Sequence, residues 1–173
     1  MLGEIIPDLA RVAVLRGPGG GAGEEVERAV RQVAAARRIL VQSYRVAALF
    51  DVHETIAGLA KARNQAIILI DGPVLSSQRR KIGEAAVLHG LPALSSSREY
   101  ADAGGLVSYG PNMLELYRRV GYFVHRVVSG ASPAEIPVEQ PTRFELVINA
   151  RTARTIGVTI PPVILARADE VIE

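Results

Sequence analysis

The chain of 173 residues has no cysteine and no tryptophan, and aromatic residues make up only 5% of it. Without cysteine there are no disulfides and no thiolate metal sites, and the redox state of the compartment is left open. No apolar run reaches the ~18 residues that a membrane-spanning helix needs. Neither charge sign dominates: 20 Lys and Arg stand against 18 Asp and Glu, for a net charge of +2. Basic residues are scattered or sit beside acids, as in Arg79-Arg80-Lys81 before Glu84 and Arg118-Arg119 after Glu115. With no basic stripe and no interleaved aromatics, a nucleic-acid partner is not expected. His53, His89 and His125 fall in three different predicted helices, so no metal site is expected. There is no Gly-Lys-Ser/Thr phosphate loop, no Gly-x-Ser-x-Gly elbow and no helix-turn-helix segment, so no cofactor is expected either. The first residues, MLGEIIPDLARVAVLRG, lack a basic segment followed by an apolar one, so the chain as written is not addressed for export.

What is present is a large apolar fraction, 49%, enough for one domain with a real core. Its pattern alternates. Short β-branched runs at 11–15 (RVAVL), 40–46 (LVQSYRV), 65–70 (QAIILI) and 91–94 read as strands. Between them, helices are predicted over 24–38, with Val26, Val30 and Val33 on one face, and over 51–63, capped by Asp51 with Ile56, Leu59 and Ala60 inward. A further helix is predicted from a Ser76 or Ser77 cap to about residue 89. Four strands alternating with helices mean βαβ units and a parallel sheet. The run at 65–70 is apolar on both faces, as in a strand at the middle of such a sheet.

Further on, Gly104-Gly105 breaks a short segment, and an apolar pair leads to Ser108, Tyr109 and Gly110. Asn112 then opens the longest helix candidate, ended by Gly130. Leu114, Leu116, Tyr117, Val120, Phe123, Val124, Val127 and Val128 cover so much of it that it needs partners on more than one side. A proline-punctuated connector over 132–141 precedes a last strand at 144–148. Asn149 caps a short helix, Pro161-Pro162 starts a final turn, and 169–173 reads as a polar tail.

Polar residues cluster where strands end. Asp71, after the third strand, is the one acid placed where an open α/β sheet binds ligands; base, ligand contact and plain turn residue are all open to it, and the turn is the commonest case. Ser95, Ser96 and Ser97 are either helix caps or hydrogen-bond donors to a ligand. Tyr100 and Tyr109 either stack on an aromatic ligand or pack with their hydroxyls satisfied. The glycine-rich turn GPGGGAG at 17–23 joins a strand to a helix, a setting for phosphate, but Glu24 and Glu25 occupy the helix N-terminus and would repel one. A flexible turn is the better reading there.

The segments REYADAGGLVSYG (98–110) and PVEQPTRFELVINARTARTIGVTIPPVILARADEVIE (137–173) resemble the closing half of the ABC-transporter substrate-binding proteins related to tryptophan and tyrosine binders, which are type I periplasmic binding proteins. The resemblance implies two α/β lobes joined by a hinge, with a solute held in the cleft between them and no catalysis. It implies a flavodoxin-like lobe, a parallel sheet flanked by helices, formed by residues 1–105 and 136–173. Residues 106–135 would be a crossover strand and helix belonging to an N-terminal lobe that this chain lacks. Ligand contacts carried over by position are Asp71, Gly72, Ser95, Ser96, Ser97, Ser108 and Tyr109, with Arg16 and Gly17 from a turn that departs from the family pattern. An aromatic amino acid is the expected kind of solute and an ABC permease the expected partner. The resemblance places the protein in the periplasm or outside the cytoplasmic membrane, or in the cytoplasm if Met1 is the true start. Met1 would fall inside a helix, which suggests a truncated gene or an artificially trimmed chain. The uncovered helix predicts a homodimer. The alternative is a small flavodoxin-like nucleotide-binding domain or enzyme; the effector-sensing domain of a transcription regulator shares the fold.

Overall fold

The computed structural model describes residues 1–19, 21–47 and 50–173. Its seven strands form a single sheet in the order β2-β1-β3-β4-β5-β6-β7. The strands are β1 (Arg11–Arg16), β2 (Leu40–Arg45), β3 (Ala66–Ile70), β4 (Ala93–Ser95), β5 (Val107–Pro111), β6 (Phe144–Asn149) and β7 (Glu170–Ile172). All neighbours are parallel except β5 and β6. The helices, in chain order, are α1 (Leu2–Ile5), α2 (Ala22–Ala36), α3 (Val52–Lys61), α4 (Pro73–Ser77) and α5 (Arg79–Leu88). After them come α6 (Arg98–Asp102), α7 (Met113–Val128), α8 (Ala150–Thr155) and α9 (Pro162–Leu165). The α/β class and the parallel sheet flanked by helices stand as expected.

The period-2 alternation of the strands builds two cores. Ala13, Leu15, Ile67, Leu69 and Ala93 point to one face, where Val52, Ile56 and Leu59 of α3, Ile82, Ala85 and Ala86 of α5, and Tyr100 of α6 cover them. Val12 and Ala66 point to the other face and meet Leu2 of α1. On that same side Leu106, Val107, Leu146 and Ile148 are covered by Ile5, Ala153 and Ile164. Asp51 caps α3 by accepting from the Glu54 N–H at 2.8 Å, and Asn149 caps α8 by accepting from Thr152 N–H at 2.8 Å.

Four details differ from the sequence reading. Residues 106–135 do not leave as a unit, because β5 lies hydrogen-bonded in the sheet between β4 and β6. Only α7 and the connector after it depart; α7 has no buried residue. The helix expected from a Ser76 or Ser77 cap begins at Pro73, whose fixed φ suits the first helical position, and Gln78 interrupts it. The Ser77 hydroxyl instead donates back to the Val74 carbonyl. The polar tail contains a strand, β7, which pairs parallel with β6. The inward face of α2 is only partly covered: Val26 and Val33 remain about half exposed over an apolar groove of 570 Å³ floored by Val12, Ile68 and Leu94.

Candidate functional site

The chain leaves β1 toward β2 on one side and returns to β3 on the other side of β1. Adjacent loops therefore diverge at the carboxyl ends of β1 and β3, and a crevice opens there. It is a hollow of 200 Å³ lined by Arg16, Gly17, Pro18, Gly19, Gly23, Ile70, Asp71, Gly72, Pro73 and Val74. Four of the nine residues expected at the site, Arg16, Gly17, Asp71 and Gly72, meet in it.

Asp71 is exposed and its carboxylate is held from the next strand. The buried Ser95 hydroxyl lies 2.9 Å from both carboxylate oxygens, and the Ser96 hydroxyl donates to Oδ2. Ser95 Oγ also accepts the Ser97 N–H at 3.1 Å, which fixes the turn into α6. The parallel register of β3 with β4, with Leu69 opposite Ser95, brings these groups together across 24 residues of sequence. Among the described residues no Lys, Arg or His nitrogen comes within 4.0 Å of Asp71.

Arg16 is spent locally. Its Nε donates to Glu27 at 2.7 Å, Nη1 to the Gly19 carbonyl at 2.8 Å, and Nη2 to Glu24 at 3.3 Å. It ties the glycine-rich turn to the first turns of α2. Gly19 and Gly21 take positive φ, 103° and 75°, as such a tight turn requires; Gly20 of the same turn lies outside the described residues. The Glu27 carboxyl is held below the usual carboxylate range, chiefly by the Ser43 hydroxyl and then by Arg31 and Arg16, against the opposing effect of burial. With two carboxylates around it, Arg16 presents no net positive charge to the hollow.

The remaining expected residues stand further along the same edge. Ser97 precedes α6, and its hydroxyl donates to Glu99 at 2.6 Å. Ser108 sits beside Ser95 in the sheet and is buried at 1% exposure, so its side chain does not reach the surface. Tyr109 is exposed at 46% and stacks on Phe144, ring centroids 5.8 Å apart. It makes an aromatic shelf on β5 and β6. Tyr100 is not a ligand stacker: it is buried in the core, its ring lies where a side chain at Gly105 would clash, and its hydroxyl has no hydrogen-bond partner among the described residues. Burial, with Asp71 nearby, pushes that phenol well above its ordinary range. Two features missed from sequence were the Asp71–Ser95–Ser96 bonding, which needs the strand register, and the Arg16–Glu27 pair, which joins a strand end to a helix face.

Larger hollows lie elsewhere. One of 750 Å³ opens at the opposite edge of the sheet beside Asn64, His89 and Pro161, away from the strand ends where polar groups converge. Another, of 410 Å³, separates α7 from residues 139–143. No described helix is long and apolar enough to cross a membrane.

The sheet is mostly parallel with helices on both faces, takes an antiparallel step after β5, and has a polar crevice at the strand-order reversal, the place where open α/β sheets bind ligands. Residues 1–172 match the family model of ABC transporter substrate binding protein, and the chain belongs to that family. Among solved structures, a conserved domain protein from Vibrio cholerae is similar at a TM-score of 0.89 and 23% identity, over 98% of this chain and 57% of that one. An ABC domain from Streptococcus pneumonia in complex with L-Trp is similar at a TM-score of 0.90 and 21% identity, over 99% of this chain and 58% of that one. The ligand-free, open form of a substrate-binding protein with adhesive properties from Clostridium difficile is similar at a TM-score of 0.74 and 15% identity, over 99% of this chain and 57% of that one. At these identities the likeness is one of fold. The chain thus spans 57–58% of the length of these structures. No curated protein sequence matches it.

Proposed function

We propose that this chain is one lobe of a type I solute-binding protein, which grips a small molecule at the carboxyl edge of its sheet and hands it to an ABC permease. The observation that carries this reading is the Asp71–Gly72 hollow at the strand-order reversal, with Ser95 and Ser96 fixing its carboxylate. The Tyr109–Phe144 shelf on the same edge suits an aromatic solute, and the similar Streptococcus domain is described with L-Trp. The role is non-catalytic. Ser95 donates to the Asp71 carboxylate but is fully buried, so its hydroxyl is not open to a substrate as a nucleophile. A carrier that delivers solute to a permease works outside the cytoplasmic membrane, and that is the proposed location.

The test is amide mapping on the ¹⁵N-labelled chain with a panel of free amino acids at millimolar concentration. Shifts at Gly17, Asp71, Gly72, Ser96 and Ser97 are expected, with weak affinity, since a lobe offers only one wall of a cleft. Shifts confined to other parts of the chain, or none with any amino acid, would reject the reading.

We further propose that α7 is the part of this chain that packs with the other lobe, and that the 173-residue chain alone pairs through it as a symmetric dimer. Light scattering should give a dimer mass that Phe123→Glu with Val127→Glu converts to a monomer. A monomer mass for the unaltered chain at tens of micromolar, or a dimer that survives both changes, removes the proposal.

A further inference from the structure

Two apolar surfaces of this chain are left over, one concave and one convex. The concave one is the 570 Å³ groove on the sheet face that carries α1 and α2. β3 and β4 lie in the middle of the sheet, and parallel strands are normally covered on both faces. On the α3 and α5 side, Ile67, Leu69 and Ala93 are closed off. On the groove side, Ile68 and Leu94, at the centre of the same strands, stay only partly buried. α2 forms one wall with Val26, Val30 and Val33; α1 and the turn after it form the other with Leu2 and Leu9. The α2 wall has 15 residues and is therefore about 22 Å long. Every lining side chain except that of Arg37, at the end of this wall, is uncharged.

The convex surface is α7. Met113, Tyr117, Val120, Val124 and Val127 recur at the four-and-three spacing of one helix face and are between 42% and 67% exposed. The helix has 16 residues, about 24 Å, which matches the length of the groove wall. Its other apolar side chains, Leu116 and Phe123, line the hollow against residues 139–143 of the same chain. No residue of α7 or of the connector after it lines the groove of its own chain. The Asn112 N–H donates to the Arg143 carbonyl at 3.1 Å, Arg143 pairs with Glu115 at 2.9 Å, and Arg119 pairs with Glu139. These bonds tie the first two turns of α7 to its own connector. A second copy can meet the groove without breaking them.

We infer that α7 of a second copy of this chain lies in the groove between α1 and α2, and that the exchange is reciprocal. This rests on the α7 pairing proposed above and names the surface that α7 meets. Area favours reciprocity. A footprint one helix long and one helix wide, lost from both surfaces and made twice, comes to about 1,000 Å², the least that a specific interface needs. A one-way contact would bury half of that. A two-fold axis supplies both contacts at once. Packing α7 against α7 instead would leave both grooves open, with Ile68 and Leu94 still uncovered.

The chain has no cysteine, so Val33→Cys in the groove wall and Val124→Cys on the α7 stripe each add a lone thiol. The two variants are mixed in equal amounts under mild oxidation at tens of micromolar and run on a non-reducing gel. A disulfide joining one chain of each kind is expected to form in excess over either self-linked pair. Separately, Val33→Glu alters a position 54% exposed and outside α7. It is expected to raise the dimer dissociation constant roughly tenfold or more, because its carboxylate would be buried without a partner. Val26→Glu, on the same wall, gives the second reading if Val33→Glu fails to fold by circular dichroism. Absence of the mixed disulfide, or a dimer that survives the groove changes, would overturn the inference and leave the α7 dimer standing. So would Val124→Cys chains that link to one another faster than to Val33→Cys chains. A chain carrying both cysteines that closes its disulfide within a monomer would assign the groove to its own helix and overturn the inference as well. A monomer mass for the unaltered chain at tens of micromolar removes the α7 dimer and this inference together.

Discussion

Helices α3 and α7 read alike in the sequence and end up in opposite circumstances. Both are amphipathic, and both open with a side-chain cap, Asp51 on Glu54 N–H and Asn112 on Glu115 N–H. In α3, Val52, Ile56 and Leu59 are at most 3% exposed, under the α5 and β-strand side chains of one core. In α7, which is longer, no residue is buried, and Leu114, Tyr117, Val124 and Val128 lie open. The difference comes from what the helix connects. α3 joins β2 to β3, parallel strands on either side of β1, and a parallel crossover must run back across the sheet face. α7 lies between β5 and β6, which are antiparallel neighbours and need only a hairpin. Residues 112–143 are therefore an excursion away from the sheet. An apolar stripe states that a helix needs a partner; the topology decides whether the sheet is that partner.

The sharpest way to break this comparison is to remove matching apolar side chains. Leu59→Ala opens a cavity in a closed core and should lower unfolding free energy by about 2–5 kcal/mol. Val124→Ala removes a side chain already 57% exposed and, at a protein concentration below that at which the chain pairs, should stay within about 0.5 kcal/mol. Urea unfolding of the two variants checks both. A Val124→Ala cost comparable to that of Leu59→Ala at that low concentration would mean that α7 is covered within the single chain.

Strand identity, most helix positions and the parallel sheet were legible because each depends on local pattern: β-branched runs, caps, and glycine after helices. The strand β7 was not, since DEVIE offers two apolar residues at an edge and looks like a tail. Nor was the place of β5: residues 106–111 give its strand character, but only pairing shows which sheet takes it. At the site, Asp71 was legible as an acid at a strand end, while its serine partners were named without the bond that joins them. The reading of Arg16 as a ligand contact could not foresee Glu27, which lies 11 residues on, in the second turn of a helix whose rotation about its axis the sequence leaves open.

Glycines give a second comparison, of intermediate size. An ideal Cβ at Gly110 would lie 1.9 Å from the Ser96 carbonyl oxygen, in backbone that forms the edge of the proposed site. Gly110→Ala must therefore push β5 and the turn after β4 apart. It should cost about 1–3 kcal/mol, as overpacking does, and it should move the Ser96 and Ser97 amide resonances. Unfolding free energy unchanged from the parent would show that the strand end yields freely, and the site would then be less firmly built than the hydrogen bonds around Asp71 suggest.

The smallest expected effect separates the two helices most cleanly. Gly58 lies inside α3 and Gly121 inside α7, and an added Cβ meets nothing within 4 Å at either position. Alanine restricts the unfolded backbone and favours helix, so each substitution should stabilise by about 0.5–1 kcal/mol where the new methyl stays free. For Gly58 that condition is set by the fold, because its own core lies on the opposite side of α3. For Gly121 it depends on what α7 meets. Gly121 falls on one stripe with Leu114, Tyr117, Val124 and Val128, spaced as neighbours on a helix face. Measured by urea unfolding at low protein concentration, where α7 is free, Gly121→Ala should match Gly58→Ala. Raised to the concentration at which the chain pairs, Gly121→Ala should lose that gain if the stripe is the contact, while Gly58→Ala keeps it. Equal gains at both concentrations would place any pairing surface away from this stripe.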